Sequence, residues 1–545
     1  MNTPIKNKIK TLVVGWDGAN FDIIKPLVAK GRLPNIAALM QNGVYCKFES
    51  TIPPLTPVAW TSMITGVNPG KHGIYDAVAY EPKMHKFSFV NATLRQKKPV
   101  WSILSELGKT VGVMNVPITY PPDEVNGFAI SGMLTPGNAN DFIYPQEIKT
   151  ELEKKFGAYS IECPQIKDPS AYLKLILAMI ETRESIALHL MDQHPAEFFF
   201  LVFIASDRVQ HFYWKYLDPA HPEHAKFGNA IAMVYERMDR ALGKLIEKVG
   251  PDTNIMMVSD HGAGSLNTTL YMNNWLIKNN YLHLDAIAAK GLKAKKPALT
   301  KSALAQLVRK AIPEVLLKKI RNKKINAKQD ELSFFCSMID WEKTLAFSEG
   351  VAGGIYINHN IVKTEQYDDL VNNICSELHK IIGPDGKKVV EKVHRRDEIY
   401  KGETLMKAPD LTVICTAGYQ IISPNEILFF DDNFSDTLFL PHRWSARHEM
   451  DGIFILKGPN VKKGIELNGC KIVDAAPTML YTLQEPIPLD MDGKVVAEAF
   501  ESEYLAKNPP RFISEAYQQG STEMNLSEEQ EQELSKRLKD LGYLE

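Results

Sequence analysis

The sequence is poor in cysteine, and the few cysteines that it has lie far apart. Its 545 residues contain six, none of them in a C-x-x-C pair: Cys46, Cys163, Cys336, Cys375, Cys415 and Cys470. Such scattered thiols do not form the dense framework of a small disulfide-rich protein, and they offer no thiolate metal site. We therefore expect the cysteines to be reduced and buried.

The sequence also lacks an excess of charge and a long apolar run at its start. Its 63 Lys and Arg residues nearly balance 65 Asp and Glu residues, so no specific nucleic-acid binding is expected. The first apolar run stops at Asp17 and Gly18, which makes it too short for a signal-peptide core or a membrane span. With a hydrophobic content of 45%, these features predict a globular cytoplasmic protein and leave its oligomeric state open.

Short apolar runs alternate with helical patterns along most of the chain. Residues 10–16, 198–205 and 254–258 have the length and the β-branched or aromatic content of buried strands. Residues 21–42, which Pro34 is expected to interrupt, and residues 225–249 show helical periodicity. Because a strand followed by a helix is the unit of a parallel sheet, we predict an α/β fold with a mostly parallel central sheet flanked by helices.

The middle of the chain differs in composition from the rest. Residues 286–328 are rich in Lys and Arg, with Leu and Ile at loose helical spacing. This basic insert is either a solvated charged face over a small local core or a helix that contacts an anionic membrane or polymer. After it, a short strand at 354–358 and a helix at 365–382 predict an inserted cap. The apolar run 411–416 predicts a return to the core sheet.

These segments divide the chain into four parts. They are a first part of the catalytic core (1–284), the basic insert with the cap (285–400), a second part of the core (401–500) and a C-terminal tail (501–545). The tail contains a predicted helix, because Ser527 and Gln530 form a capping-box pattern and leucines follow at near-helical spacing.

Six carboxylate and imidazole residues lie at or shortly after the ends of predicted core strands. They are Asp17, Asp207, His211, Asp260, His261 and His448, the last of them on a predicted loop at the sheet edge. Because the carboxyl ends of parallel strands meet at one edge, we expect these side chains to lie together. Mixed carboxylate and imidazole ligands suit Zn²⁺, with Mn²⁺ as the alternative, and six are enough for two divalent ions.

Thr56 is the candidate nucleophile. Its hydroxyl lies between a loop broken by Pro53 and Pro54 and an apolar run that is compatible with a helix. The start of a helix offers unpaired N–H groups and a positive dipole end, which suit a bound anion, although a threonine there is more often only a cap. Two metal ions and three aspartates would leave a net charge of about +1, which attracts a phosphate, and a metal beside Thr56 would lower the pKa of its hydroxyl.

Several short motifs occur in a fixed order along the chain. They are Asp17-Gly18, Thr56 ten residues before Gly66, Thr65-Gly66-x-x-Pro69-x-x-His72-Gly73-Ile74, Asp207-x-x-x-His211, Asp260-His261-Gly262, His448 before Asp451-Gly452, Asp474-x-x-Pro477-Thr478 and Met491-Asp492-Gly493. In order and number they resemble the alkaline phosphatase superfamily, and within it the type I phosphodiesterase / nucleotide pyrophosphatase family. The resemblance spans most of residues 10–494.

The resemblance implies an alkaline phosphatase-like core and a metal-dependent hydrolase that cleaves small-molecule phosphodiesters, including nucleotide pyrophosphates. It also implies one zinc ion on Asp207, His211 and His448, and a second on Asp17, Asp260 and His261. Thr56 would bind the second ion and attack phosphorus. A covalent phosphothreonine would follow, and water would hydrolyse it.

In one respect the chain departs from the pattern of this family. Nucleotide pyrophosphatases carry an asparagine downstream of the nucleophile to hold a phosphoryl oxygen, whereas here Ala59 stands three residues on and no asparagine occurs before Asn68. Lys71 and Arg208 are the candidate replacements, beside backbone N–H groups. A phosphomonoesterase, a phosphosugar mutase, or a protein that binds membranes or polyanions through the basic insert therefore stay open as alternatives.

Overall fold

The computed structural model describes residues 8–81, 86–162, 164, 166–285, 336–423, 438–440, 444–514 and 526–541. The basic insert, 286–328, lies outside the described residues, so its interpretation stays a prediction. Within the described ranges, no helix combines the length and the apolar composition that crossing a membrane requires.

Strands are distributed along the whole described chain. In chain order they are β1 (Thr11–Trp16), β2 (Val44–Glu49), β3 (Val78–Glu81), β4 (Lys86–Phe89), β5 (Val111–Val116), β6 (Gly127–Ser131), β7 (Ile143–Tyr144), β8 (Phe198–Phe203), β9 (Asn254–Val258), β10 (Gly262–Tyr271), β11 (Ala346–Glu349), β12 (Gly354–Ile357), β13 (Val390–Arg395), β14 (Leu411–Cys415), β15 (Gly418–Ile422), β16 (Phe439–Leu440), β17 (Ala446–Glu449), β18 (Asp451–Lys457), β19 (Ile465–Glu466), β20 (Cys470–Lys471), β21 (Ile487–Pro488) and β22 (Phe512–Ile513).

Helices lie between most of these strands. In chain order they are α1 (Phe21–Ala29), α2 (Pro34–Gln41), α3 (Thr56–Thr65), α4 (Pro69–His72), α5 (Val100–Glu106), α6 (Gln146–Phe156), α7 (Pro169–Gln193), α8 (Ala205–Tyr213), α9 (His224–Phe227), α10 (Ala230–Val249), α11 (Met272–Lys278), α12 (Thr364–Leu378), α13 (Arg396–Ile399), α14 (Ala475–Thr482), α15 (Ser502–Lys507) and α16 (Glu528–Leu541). The predicted interruption of the helical segment 21–42 at Pro34 is confirmed, because α2 begins at this proline, whose fixed φ and missing N–H are tolerated in the first turn of a helix.

A ten-stranded sheet forms the centre of the molecule. Its order is β19-β2-β18-β9-β1-β8-β5-β6-β7, and β20 pairs with β2 at one edge. Strands β9, β1, β8, β5 and β6 are parallel to their neighbours in this series, whereas β18 is antiparallel to β9 and β2. The predicted α/β fold with a mostly parallel central sheet is confirmed.

Helices bury both faces of this sheet. Successive residues of a strand point to opposite faces, so Leu12 and Val14 of β1 pack in one apolar cluster with α1, α2, α7 and α10. Val13 packs in the other, with α3, α5 and α14. Because both faces are covered, the central strands read as unbroken apolar runs rather than as alternating ones.

A second, four-stranded antiparallel sheet, in the order β11-β12-β14-β13, lies outside the central sheet. It contains β14 (Leu411–Cys415), so the interpretation of residues 411–416 as a core strand is wrong. The apolar pattern of a buried strand is the same in either sheet, and the pairing of β14 with β12 and β13 decides its place. A helix, α12, packs against this sheet through Val371, Ile374 and Leu378.

Two cysteines that were expected to be reduced are joined. Cys46 in β2 and Cys470 in β20 form a disulfide between residues 424 positions apart. They meet because β20 pairs in parallel with β2, which places Phe48 opposite Cys470. Sequence spacing contained no sign of this pairing. Cys336, Cys375 and Cys415 are free thiols, as predicted.

The predicted tail helix is present as α16. The amide of Gln530 donates to Ser527 Oγ at 3.2 Å and the amide of Ser527 donates to Gln530 Oε1 at 3.0 Å, which confirms the capping box. Leu534 and Leu538 are buried in the apolar cluster that also contains residues of the second sheet. The tail therefore packs onto the body of the protein.

Candidate active site

The predicted ligands meet at the carboxyl ends of three adjacent strands of the central sheet, in the order β9-β1-β8. Asp17 directly follows β1, and Asp260 follows β9 after one intervening residue. Asp207 lies in the first turn of α8 rather than at the end of a strand, because α8 begins two residues after β8. His211 lies one turn later in the same helix, as its spacing predicts.

His448 reaches the site from a strand, and its prediction on a loop is wrong. It belongs to β17, which pairs antiparallel with β10 so that His448 faces Ala263. Since β10 begins directly after His261, this register stacks the two imidazoles with 3.6 Å between ring centroids. A strand pairing over almost 200 residues of sequence thus completes the site.

The six side chains form two adjoining groups. In the Asp207 group, comprising Asp207, His211 and His448, Oδ1 of Asp207 lies 2.9 Å from Nε2 of His211 and 3.6 Å from Nε2 of His448. The two Nε2 atoms are 3.1 Å apart. The groups adjoin because atoms of Asp17, Asp207 and His261 also lie within 4.8 Å of one another.

In the Asp17 group, comprising Asp17, Asp260 and His261, two carboxylates share one imidazole. Nε2 of His261 lies 3.6 Å from Oδ1 of Asp17 and 3.3 Å from Oδ2 of Asp260. The exposed fraction of each of the three residues is at most 2%. These distances bring together all the residues that the sequence predicts for this group.

Thr56 lies beside the Asp17 group. It is the first residue of α3, fully buried, and the residue in the N-cap position is Leu55. Thr56 is therefore not the cap of its helix. Its Oγ1 lies 3.2 Å from Nε2 of His261, which turns the hydroxyl towards the ligand groups and away from the first turn of the helix.

All three imidazoles are held in the same way. Nδ1 of His211, His261 and His448 lies 2.9, 2.8 and 3.0 Å from the backbone carbonyls of Ala446, Gly262 and Pro54. A carbonyl only accepts, so each Nδ1 carries its proton and leaves Nε2 for a cation, either a second proton or a metal ion. The fixed tautomer and ring orientation are typical of metal-ligating histidines.

The carboxylates of Asp17 and Asp260 are also placed to bind a metal ion. Asp17 Oδ1 and Asp260 Oδ2 are buried and accept no hydrogen bond from the described residues. Their other oxygens accept from Nε1 of Trp60 and from the amide of Gly18, each at 3.1 Å. Carboxylate oxygens that accept no hydrogen bond from the described residues, opposite imidazole Nε2 atoms, are the donor set of a Zn²⁺ or Mn²⁺ site, so the residues present fit divalent cations.

Burial and neighbouring charges shift the pKa values of these groups in opposite directions. Burial raises the pKa of Asp17 and of Asp260 well above the ordinary value of 3.8, and nearby carboxylates, including Asp207 and Glu162 for Asp17, raise it further. Burial also opposes the charge of Asp207, but His211, His448 and Arg208 outweigh it and hold its pKa well below 3.8. Burial lowers the pKa of His261 and His448, which favours their neutral, ligating form.

Some of the side chains that orient the ligands were missed by the sequence reasoning. Trp60 follows Thr56 by one helical turn, and this spacing is the signal that would have placed it at Asp17. Trp444 stacks on His211 with 3.8 Å between ring centroids. Its position four residues before His448 carries no such signal, because the two residues lie on different sides of a bend.

The two predicted substrate contacts have different surroundings. Nη1 of Arg208 donates to Oδ2 of Asp207 at 3.1 Å, so this buried guanidinium adjoins the ligand groups. Nζ of Lys71 instead pairs with Oδ1 of Asp492 at 2.6 Å and donates to the carbonyl of Asp490 at 2.8 Å. This ion pair ties α4 to the segment after α14, and we therefore do not include Lys71 in the site.

Fold and site together define an α/β protein in which two adjoining groups of carboxylates and imidazoles, suited to divalent cations, lie beside a buried hydroxyl at a helix start. Comparison with known proteins shows to which family within this class the chain belongs. The profile of the type I phosphodiesterase / nucleotide pyrophosphatase family matches residues 11–433, and the chain belongs to that family.

Among curated proteins, the chain is similar to mouse ectonucleotide pyrophosphatase/phosphodiesterase family member 1. The two are 26% identical over 257 residues, which are 45% of this chain and 23% of the mouse protein. The chain thus matches less than a quarter of the length of this relative.

Solved structures share the fold at low sequence identity. Murine ectonucleotide pyrophosphatase / phosphodiesterase 5 is 14% identical with a TM-score of 0.53, and the match covers 90% of this chain and 100% of that one. An inactive variant of it in complex with AMP has a TM-score of 0.54 at 14% identity, covering 91% and 100%. Phosphonoacetate hydrolase from Sinorhizobium meliloti 1021, in complex with phosphonoformate, is 15% identical with a TM-score of 0.52, covering 88% and 96%.

Proposed function

We propose that this chain hydrolyses phosphodiester bonds of small molecules, with Thr56 as the attacking group. The Asp207 group would hold one divalent cation, and the Asp17 group together with Thr56 would hold another, Zn²⁺ being favoured over Mn²⁺. One observation carries the proposal: imidazole Nε2 atoms and two carboxylate oxygens that accept no hydrogen bond from the described residues converge beside Oγ1 of Thr56.

The relatives support the class of reaction. The name of the family describes hydrolysis of phosphodiesters and nucleotide pyrophosphates. The inactive murine structure that contains AMP carries a replacement of threonine by alanine. Both facts agree with a threonine nucleophile and with a nucleotide or a similar phosphate ester as the substrate.

The chain positions Thr56 for attack. As the first residue of α3 it lies at the positive end of the helix dipole, which favours an anionic phosphoryl group there. Oγ1 of Thr56 would form a bond to phosphorus as its proton passes to solvent, and the bond from phosphorus to the oxygen of the leaving alcohol would break, with that oxygen taking up a proton from solvent. Water would then attack the phosphothreonine, releasing a phosphomonoester and restoring the hydroxyl.

Divalent cations, when bound, supply positive charge that lowers the pKa of a neighbouring hydroxyl and offsets charge on phosphoryl oxygens. The remaining work belongs to the residues of the chain. The carbonyls of Ala446, Gly262 and Pro54 keep each Nε2 directed inward, and Trp60 fixes the carboxylate of Asp17. Arg208 adds a fixed positive charge beside Asp207, which favours an anionic substrate.

The test is turnover of bis(p-nitrophenyl) phosphate by the full chain supplied with Zn²⁺ or Mn²⁺. Thr56→Ala is expected to lower kcat by at least about 1,000-fold while both cations stay bound, because the attacking group is lost and the other ligands remain. Thr61→Ala is the matched control, since Thr61 lies in the same helix and its hydroxyl only donates to the carbonyl of Pro57. Unchanged turnover in Thr56→Ala would refute the role of Thr56.

The same assay separates the proposal from its main alternative. We expect p-nitrophenyl phosphate, a monoester, to be turned over less efficiently than the diester. A large preference for the monoester would instead indicate a phosphomonoesterase or a mutase on the same fold.

A further inference from the structure

Glu162 lies next to the proposed active site, although no sequence motif contains it. Its Oε2 lies 4.0 Å from Nη2 of Arg208, and both side chains are almost fully buried, with exposed fractions of 4% and 1%. Nη1 of the same guanidinium donates to Asp207. Glu162 is therefore separated from a candidate metal ligand by a single side chain.

The carboxylate of Glu162 lacks hydrogen bonds. Neither Oε1 nor Oε2 accepts one from the described residues, and both atoms are shielded from solvent. The separation of 4.0 Å from Arg208 is too long for a hydrogen bond and leaves only an ionic attraction. Burying a carboxylate without donors is costly, so this arrangement favours donors other than the described residues.

Partly buried hydrogen bonds hold the backbone that carries Glu162. Nη2 of Arg183 donates to the carbonyls of Ser160 and Ile161, at 3.3 and 2.8 Å, and Oγ of Ser160 donates to the carbonyl of Glu162 at 2.7 Å. Arg183 itself is 5% exposed and is anchored through Nη1 to the hydroxyl of Tyr159. The carboxylate is thus a pre-positioned acceptor rather than a side chain that relaxes towards solvent.

The surroundings decide which donor fits. A metal ion needs several protein ligands, and the groups of metal-ligating atoms that the described chain brings together do not include Glu162. A cationic group would be repelled by Arg208, whose charge already offsets that of Glu162. Two neutral hydroxyl groups suit two free oxygens, as in the carboxylates that bind the hydroxyls of a ribose.

We propose that Glu162 binds a vicinal diol on the alcohol part of the phosphodiester substrate, one hydroxyl donating to each carboxylate oxygen. This inference rests on the proposed function, and it narrows the substrates to esters of sugars or other polyols. Arg208 then lies between Asp207 on one side and the diol-binding carboxylate on the other. The guanidinium of Arg208 thereby connects the carboxylate that selects the alcohol, Glu162, with a carboxylate of the reaction centre, Asp207.

The test compares two p-nitrophenyl phosphodiesters that differ only in the diol, the 1-glyceryl ester and the n-propyl ester. We expect the wild-type chain to prefer the glyceryl ester in kcat/KM by at least about tenfold, because the propyl ester leaves the carboxylate unpaired. Glu162→Gln is expected to reduce that ratio to about 1, and Glu162→Asp, which withdraws the carboxylate by one methylene, to reduce it in part. Glu153→Gln, whose side chain is 45% exposed on α6, is the matched control and should keep the wild-type ratio.

Two results would overturn the inference: a wild-type ratio near 1, and a ratio unchanged in Glu162→Gln. If that unchanged ratio came with an equal loss of both esters at a native melting temperature, Glu162 would be a positioning residue for Arg208. Failure of the proposed function is a separate result, because it is read from bis(p-nitrophenyl) phosphate, which has no diol. In that event, calorimetric titration with glycerol 3-phosphate and with propyl phosphate tests the inference without turnover. The inference is supported if the wild-type chain binds glycerol 3-phosphate more tightly and Glu162→Gln loses this difference. Equal binding of the two esters by the wild-type chain overturns it.

Discussion

The Asp207 group and the Asp17 group use the same residue types but balance their charges differently. In the Asp207 group a single carboxylate faces two imidazoles and Arg208, and its pKa is held well below the ordinary value. In the Asp17 group two buried carboxylates share one imidazole, and burial together with repulsion from neighbouring carboxylates raises both pKa values. Burial and neighbouring charges therefore leave the ionised carboxylate favoured in the Asp207 group and disfavoured in the Asp17 group.

The largest effect is expected when either group loses a carboxylate. Asp207→Asn and Asp260→Asn should each lower kcat/KM for bis(p-nitrophenyl) phosphate by about 1,000-fold or more, because each removes one charged ligand from one cation. Metal analysis should show about one ion lost from each variant. Asp252→Asn, whose side chain is 77% exposed and pairs with Lys8, is the control. Two bound ions and near-normal turnover in either ligand variant would refute the assignment.

Without metal, the same two substitutions should change the stability in opposite directions. Asp207→Asn removes the partner of buried cationic groups and is expected to lower the free energy of unfolding by about 3 kcal/mol. Asp260→Asn relieves repulsion between buried carboxylates and is expected to raise it by about 1 kcal/mol. Urea unfolding of chelator-treated protein measures both values. Changes of the same sign would contradict the difference between the groups.

The two groups should also make the stability of the metal-free protein depend on pH in different ways. Because the pKa of Asp260 is raised in the folded state, its penalty on folding is fully present above that pKa and disappears as the pH falls towards the unfolded value of 3.8. The stability advantage of metal-free Asp260→Asn over wild type should therefore shrink as the pH falls from about 7 to about 4. The contribution of Asp207, whose pKa is lowered, should persist over this range and be lost below it. A stability advantage of Asp260→Asn that grows as the pH falls would contradict this prediction.

The smallest effect concerns a side chain that only orients a ligand. Trp60→Phe removes the hydrogen bond to Oδ2 of Asp17 and keeps an aromatic ring in the core. It should weaken cation binding by the Asp17 group by about tenfold and leave the Asp207 group unchanged. Titration against a competing chelator measures this. Trp101→Phe is the matched control. Trp101 lies on a different helix, α5, and its indole also donates to an aspartate, Asp123.

Most residues of the site were predictable from the sequence because they follow a strand or lie in the first turns of a helix within a short motif. Asp17, Thr56 and Asp260 needed only the strand ends and the helix start to be recognised. What was missed depends on pairing between distant segments. The place of His448 follows from the register of β17 with β10, and the disulfide of Cys46 follows from the pairing of β20 with β2.

The second sheet shows why an apolar pattern alone was insufficient. Residues 411–416 have the composition of a buried strand, and β14 is indeed one, but its neighbours β12 and β13 lie in the second sheet. Glu162 was missed for a related reason, since its role follows from the absence of hydrogen bonds at its carboxylate, which only three-dimensional contacts reveal. Local sequence patterns were enough to identify a strand, whereas long-range contacts decided which sheet it joins.

The central claim is that Thr56 attacks phosphorus. Its most direct test is mass spectrometry of the full, metal-supplied chain after turnover of bis(p-nitrophenyl) phosphate is quenched with acid. The account predicts a phosphoryl adduct that carries one remaining p-nitrophenyl group on the peptide that contains Thr56, and its loss in Thr56→Ala. An active wild-type enzyme that carries the adduct on another peptide, or that carries none at any time before the quench, would contradict it.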